Sequence, residues 1–266
     1  VKIALNGKIL DAATARIDPS DRGLTLGDGL FETIALRKGK LRRLPAHLAR
    51  LRLGCAVLGI SLNYDDPGLD SLMARVAEAN QMADGVLRVT VTRGPGARGL
   101  VPAPDAKPTV LVTAAPAPPH PAPARVIVAT VTRRNEHSPL SRIKSLNALD
   151  NILARNEAVQ AGADDALLLN TQGRLAESTV ANVFLLVDGG LITPPVEDGA
   201  MPGVARADVI RLAKAEERPV TGELLARASE IFLSNALGIR PVIQIGETPV
   251  GDGEPGLITQ LIATRI

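Results

Sequence analysis

Apolar and polar residues alternate along the opening stretch, VKIALNGKIL, on both sides of Asn6-Gly7. A period of two around an Asn-Gly pair predicts a β-hairpin, because that pair accepts the positive φ angles of a tight turn. Residues 30–42, LFETIALRKGKLR, repeat the pattern with a turn at Lys38-Gly39. The period then lengthens. Leu44, Leu48, Leu51 and Leu58 fall at helical spacings around Pro45, and Gly59 ends the run. A second helix is predicted over 69–80, behind the turn residues Asp65-Asp66-Pro67-Gly68. Alternation returns in GVLRVTVTRG, where Leu87, Val89 and Val91 interleave with Val86, Arg88, Thr90 and Thr92, and PTVLVTAA predicts a further strand.

The pattern breaks at APAPPHPAPA, residues 115–124. Proline fixes φ and has no N–H to donate, so this stretch can be neither helix nor central strand. It predicts a linker between an N-terminal domain over 1–114 and a C-terminal domain over 125–266. The second half opens on a strand, RVIVATV, followed by a helix over 146–161 that stops before Gly162. ALLLN and ANVFLLV predict strands, with turns at Thr171–Gly173 and Asp188–Gly190. Pro202-Gly203 precedes a helix over 204–216, and EIFLSN and PVIQI close the series as strands. The mixed order predicts an α+β fold in two subdomains.

Composition narrows the function classes. The 266 residues are 45% hydrophobic and 22% charged, enough to bury a sizeable core. Aromatics are only 2%, with no Trp, which disfavours a base-stacking nucleic-acid surface. Net charge is +2, from 30 basic and 28 acidic side chains, and no basic block suggests a polyanion partner. The lone Cys55 excludes an internal disulfide and fits a reducing cytoplasm. No apolar run is long enough to span a membrane, and the two lysines near the start predict no signal peptide. His47, His120 and His137 lack metal-ligand spacing, so no metal site is expected. LGDGLFETI matches neither phosphate-loop nor dinucleotide fingerprints.

Four features could carry chemistry. Lys144, in SRIKSLNALDN, lies between a predicted strand and helix with Ile143 and Leu146 beside it. Apolar surroundings lower an ammonium pKa and free an amine that can attack an aldehyde; the plain alternative is a surface lysine at a helix start. Glu177, in GRLAESTVANVF, is either an exposed cap or a carboxylate able to hold a protonated ring nitrogen. DGAMPGVARADVI runs a glycine-proline loop into a helix start, where free N–H groups attract anions unless Pro202-Gly203 simply opens the helix, and Arg50 is either a candidate for the same anion or part of a solvated helix face. VTRGPGARGL places Arg93 and Arg98 in a glycine-rich turn, either of which could clamp a carboxylate.

The order of these pieces resembles a known family, the fold-type IV pyridoxal 5′-phosphate (PLP) enzymes of aminotransferase class IV. The matching stretches are DRGLTLGDGLFETI, HLARLRL, VTRGPGARG, IKSLNALDNILARNEA, ESTVANVFLL, GVARADVI and EIFLSNALGIRPV, together nearly the whole chain. The resemblance implies a small α/β domain, a linker and a larger pseudo-barrel domain, usually in a homodimer. It implies that Lys144 is the Schiff-base lysine and proton shuttle, and that Glu177 pairs with the pyridine nitrogen. Arg50, the backbone of Val204 and Ala205, and the backbone at Ala236 and Leu237 would hold the phosphate. Arg98, Phe31 and Thr33 would meet the substrate. D-amino acid transaminases of this family usually trap the substrate carboxylate with a Tyr, an Arg and a His; the aligned residues here are Phe31, Arg98 and Leu100. The resemblance implies an aminotransferase acting on amino and 2-oxo acids. The alternative is 4-amino-4-deoxychorismate lyase, whose stretches GLFET, RGPGARG and SNALGIRPV it shares.

Overall fold

A computed structural model describes residues 1–119 and 121–266. His120, part of the expected linker and one of the three histidines, lies outside the described residues. The chain divides into two compact units. The first comprises Val1–Pro119 together with Ile143–Asn147; the second takes the remaining described residues, Ala148–Ile266 among them.

The first unit contains β1 (Lys2–Leu5), β2 (Lys8–Asp11), α1 (Arg22–Leu26), β3 (Gly29–Arg37), β4 (Lys40–Leu41), α2 (Leu44–Leu58), α3 (Asp66–Ala79), β5 (Gly85–Thr92) and β6 (Thr109–Ala115). Its strands form one antiparallel sheet in the order β2-β1-β6-β5-β3-β4. Both predicted hairpins form, with positive φ at Asn6, Gly7, Lys38 and Gly39. The alternation of β3 and β5 sorts the two faces of the sheet. Leu30, Ile34, Leu36, Leu87, Val89 and Val91 are buried, as are Leu48 and Leu51 of α2 and Leu69, Met73 and Val76 of α3. Phe31, Thr33, Arg88 and Thr90 fall on the other face, Phe31 opposite Thr90 and Thr33 opposite Arg88. Helix α3 begins at Asp66, three residues before the expected start, because the Asp65 side chain accepts from Gly68 N at 2.8 Å and caps the helix there.

The second unit contains β7 (Ala124–Val128), α4 (Leu149–Gln160), β8 (Asp165–Leu169), β9 (Leu175–Ser178), β10 (Asn182–Val187), β11 (Gly190–Thr193), α5 (Val204–Ala213), β12 (Glu216–Glu217), α6 (Gly222–Ala226), β13 (Glu230–Asn235), β14 (Gly238–Ile245), β15 (Thr248–Pro249) and α7 (Leu257–Ala263). A single nine-stranded sheet runs β12-β11-β10-β13-β14-β7-β8-β9, with β15 on the edge of β14. The sheet curls: Leu175 of β9, the last strand in this order, bridges Val220 just past β12 at the other end, with Leu175 N donating to Val220 O at 2.8 Å. β7 and β8 are parallel, joined by α4, which buries Ala154 and Ala158 against Ala166 and Leu168. Val126, Leu167, Val183, Leu185, Leu233 and Val242 form the main core. Phe184 and Phe232 stack at 5.0 Å beneath Val209 of α5 and Ile262 of α7.

Several boundaries differ from the sequence reading. The expected linker is narrower, because Ala115 ends β6 and Ala124 starts β7. Helix α4 starts at Leu149, not 146, since the residues before it lie extended beside β3. Helix α5 stops at Ala213, where Lys214 turns left-handed with φ 52. Among the described residues no helix is long and apolar enough to cross a membrane.

Candidate active site

In the first unit, main-chain pairing delivers Lys144. Phe31 N donates to Lys144 O at 3.0 Å, Leu146 N donates to Gly29 O at 2.9 Å, and Leu30 and Ser145 form an antiparallel bridge. The segment thus adds an extra strand along β3. The Lys144 ammonium nitrogen lies 4.6 Å from the centre of the Phe31 ring, and the Arg88 guanidinium carbon lies 3.7 Å from it. Two cations therefore share one aromatic ring, held by the ring quadrupole. Thr33 stands one step along the same face, opposite Arg88. The sequence alone does not single out Arg88, which reads there as one polar position in a half-solvated strand.

Arg50 is committed to the other side of β3. Its Nε donates to Glu32 Oε1 and its Nη2 to Glu32 Oε2, both at 2.7 Å, and His47 Nδ1 lies 2.7 Å from Glu32 Oε2. Glu32 is fully buried and His47 nearly so. Burial pushes the Glu32 carboxyl up, but the hydrogen bonds and charges of Arg50 and His47 outweigh it and hold it below the usual carboxylate range. The pair stations Arg50 with its fork direction fixed.

The two arginines of the glycine-rich turn separate. Arg93 is filled by structure: Nε and Nη2 donate to Asp28 at 2.7 and 3.2 Å, and Nη1 and Nη2 donate to Gly59 O and Leu58 O at the end of α2. Arg98 is exposed on the loop. That loop is held by Arg22, which donates to Gly99 O at 2.7 Å and Leu100 O at 2.8 Å while its Nε holds Asp28 at 2.9 Å. Asp21 beside it caps α1 through Gly23 N and accepts from Thr92 and Thr109. The DRG of the matched stretch is thus a buried anchor for the turn.

In the second unit, Glu177 is not an exposed cap ahead of a strand but sits within β9, 5% exposed. Its Oε2 accepts from Met201 N at 3.0 Å, and its Oε1 lies 3.1 Å from Arg134 Nε. Asn182 holds the same loop, donating to Met201 O at 2.8 Å. Two residues on, Gly203 opens α5 with no side-chain cap, so the N–H groups at Val204 and Ala205 meet no side chain of the cap residue. A side chain at Gly203 would collide with the Asn182 amide. Ser234 pairs directly across from Asn182, is 1% exposed, and its hydroxyl has no hydrogen-bond partner among the described residues. One residue later the chain turns through Ala236 and Leu237 into β14, and Leu237 N is taken by Asn235 Oδ1 at 2.9 Å. Glu177, the open end of α5 and the Ala236 turn are therefore linked through one short loop and one strand pair. No cluster of metal-ligating side chains occurs among the described residues.

Comparison with known proteins bears on this geometry. A family model described as amino-transferase class IV matches residues 29–245. A putative branched-chain-amino-acid aminotransferase of Methanocaldococcus jannaschii is 35% identical over all of this chain and 95% of its own. A D-alanine aminotransferase of Bacillus licheniformis is 30% identical over all of this chain and 96% of its own. Among solved structures, the 4-amino-4-deoxychorismate lyase of Pseudomonas aeruginosa superposes with a TM-score of 0.86 at 35% identity, covering 99% of this chain and 97% of that one. The T.th. branched-chain amino acid aminotransferase with pyridoxamine 5′-phosphate gives a TM-score of 0.93 at 26% identity, covering 99% and 92%.

Proposed function

This chain belongs to the class IV aminotransferases, and from that premise we propose that it is a PLP-dependent aminotransferase moving an amino group between an amino acid and a 2-oxo acid. Class IV aminotransferases use PLP, and a similar structure holds the amine form of that cofactor. The observation that carries the reading is Lys144, set by main-chain hydrogen bonds beside Phe31.

The residues present fit the cofactor. Buried Glu177 suits a protonated ring nitrogen, the uncapped start of α5 suits a phosphate, and the unpartnered Ser234 hydroxyl leaves a polar group to satisfy nearby. When bound, PLP supplies an aldehyde that takes up the amine and an electron-poor ring that accommodates the pair left by a departing Cα proton. In this reading Lys144 anchors the cofactor, takes the substrate Cα proton and returns it at the cofactor C4′. Val204 N, Ala205 N, the Ala236 turn and Arg50 hold the phosphate; Leu237 N is already spent on Asn235. Phe31 and Thr33 face the substrate. Arg98 takes the carboxylate, with Arg88, stacked on Phe31, as a second cation on the same sheet face. The exposed apolar residues Leu149, Ile152 and Leu153 of α4 support a homodimer.

Arg98→Ala should raise KM for the amino donor about ten-fold or more, the weight of one charged hydrogen bond, while the bound-cofactor absorbance stays intact. An unchanged KM would transfer the role to Arg88. The reaction itself is tested by single-turnover spectroscopy of the PLP-loaded protein with D-alanine, L-alanine, L-leucine, D- and L-glutamate and aminodeoxychorismate in turn. Bleaching of the visible band by one amino acid identifies the donor and its hand. The 35% identity to the P. aeruginosa lyase favours one second reading, in which Lys144 takes the same proton but pyruvate leaves. Turnover of aminodeoxychorismate alone, with pyruvate released and the band retained, would establish that reading instead.

A further inference from the structure

Arg134 lies in the stretch TRRNEHSPLSR, which the sequence presents as irregular loop. In the second unit it is a cation beside Glu177. Its Nε lies 3.1 Å from Glu177 Oε1 and donates to Gly199 O at 3.1 Å, and its Nη2 donates to Ser141 O at 3.1 Å. The side chains are 16% and 7% exposed. The other Glu177 oxygen receives Met201 N. Gly199 is left-handed with φ +95, and a Cβ there would fall 2.9 Å from Arg134 Cγ, so the backbone approaches the arginine as only glycine allows.

From this geometry we infer that Arg134 is a positioning residue that keeps the Glu177 carboxylate charged and aimed at the pyridine nitrogen of the cofactor. The inference rests on the proposed role of Glu177. A carboxylate this buried tends to take up a proton, and a neutral acid no longer favours a protonated ring nitrogen. A guanidinium does not lose its proton, so it holds the carboxylate ionised. The guanidinium Nε lies beside one carboxylate oxygen while the Met201 N–H donates to the other, which restricts the χ3 torsion. The two bonds to main-chain oxygens prevent the arginine from swinging away. A lysine would supply the same positive charge from a single point donor, and so would also keep the carboxylate ionised.

The alternative is that Arg134 only ties the 199–201 loop to Ser141. Four variants of the holoenzyme separate the two: Arg134→Gln, Arg134→Lys, Glu177→Gln and the double Arg134→Gln/Glu177→Gln. The readouts are the visible band of bound PLP, the PLP dissociation constant and the melting of the apoprotein. Arg134→Gln and Glu177→Gln should move the band in the same direction. Each should weaken PLP about ten-fold or more, and the double should be no worse than Glu177→Gln alone. Arg134→Lys should keep the wild-type band. A double variant whose losses add in full, or a band that Glu177→Gln moves and Arg134→Gln does not, overturns the inference. Should Arg134→Gln fail to fold, Arg134→Lys decides: a folded protein with the band moved as far as in Glu177→Gln overturns it. If Glu177→Gln leaves band and affinity unchanged, the role of Glu177 itself is wrong and this inference falls with it.

Discussion

At the scale of single residues, the most buried carboxylates among the described residues have partners. Glu32 is the clearest case, fully buried yet bonded to both His47 and Arg50. Removing its charge takes the shared carboxylate from both Arg50 and His47, so Glu32→Gln should cost about 3–5 kcal/mol, the usual penalty for breaking a buried pair from one side. The pH dependence has a definite sign. The folded-state pKa of Glu32 is depressed, so its stabilisation is present above the unfolded value and fades as pH falls through the folded one. Urea midpoints of the two proteins should therefore differ most near neutrality and converge in acid; a gap that widens in acid would contradict the assignment. Individual side chains are only partly legible in the sequence. Lys144 is singled out by the resemblance of its whole stretch rather than by its flanking residues, and nothing near Glu177 signals burial, since a four-residue strand reading LAES looks like a polar turn. Arg88 and Arg134 are invisible there for a related reason: an arginine declares its partner only when strands or loops distant in sequence meet.

At the scale of elements, turns and glycines set positions. The Asn6-Gly7 and Lys38-Gly39 hairpins are readable because the turn chemistry is local. The short α1, α6 and α7 are not, since a helix of five to seven residues is held by what it packs on rather than by its own periodicity. The turn after β5 depends on Arg22, which grips two carbonyls just past Arg98. Arg22→Ala should free this turn. Proteolysis should quicken within 95–101, stability should fall on the order of 2 kcal/mol, and substrate KM should rise with the cofactor still bound. Equal protection of that turn in variant and wild type would show it stands without Arg22. The start of α5 gives a second test. Gly203→Ala must push Asn182 aside, which shifts the first N–H groups of the helix. PLP affinity should drop while the helix content of the protein stays constant, and an unchanged affinity would remove the start of α5 from the phosphate site.

At the scale of the whole chain, the α+β class is legible because strand and helix periods alternate without a regular repeat. The curl of the second sheet is not, since the contact that joins its two ends, Leu175 with Val220, pairs residues far apart in the chain. The proline stretch marks a break in the chain, yet it hides an exception. Ile143–Asn147 belongs to the first unit although the residues on both sides of it belong to the second. The first unit is therefore an incomplete protein when it ends at Pro119: the edge of β3 at Leu30 waits for Ser145. Loop closure over that separation is slow, so the last step in building the first unit comes late in synthesis. A protease cut between 116 and 119 should consequently not release two independent pieces. The fragments should co-elute on gel filtration under native conditions and part only in denaturant, while a first fragment expressed alone should recover its order when the second is supplied. The protein is in that sense stitched from within: the five residues Ile143–Asn147 make the hem of the first unit, and a cut in the proline stretch leaves them on the other fragment.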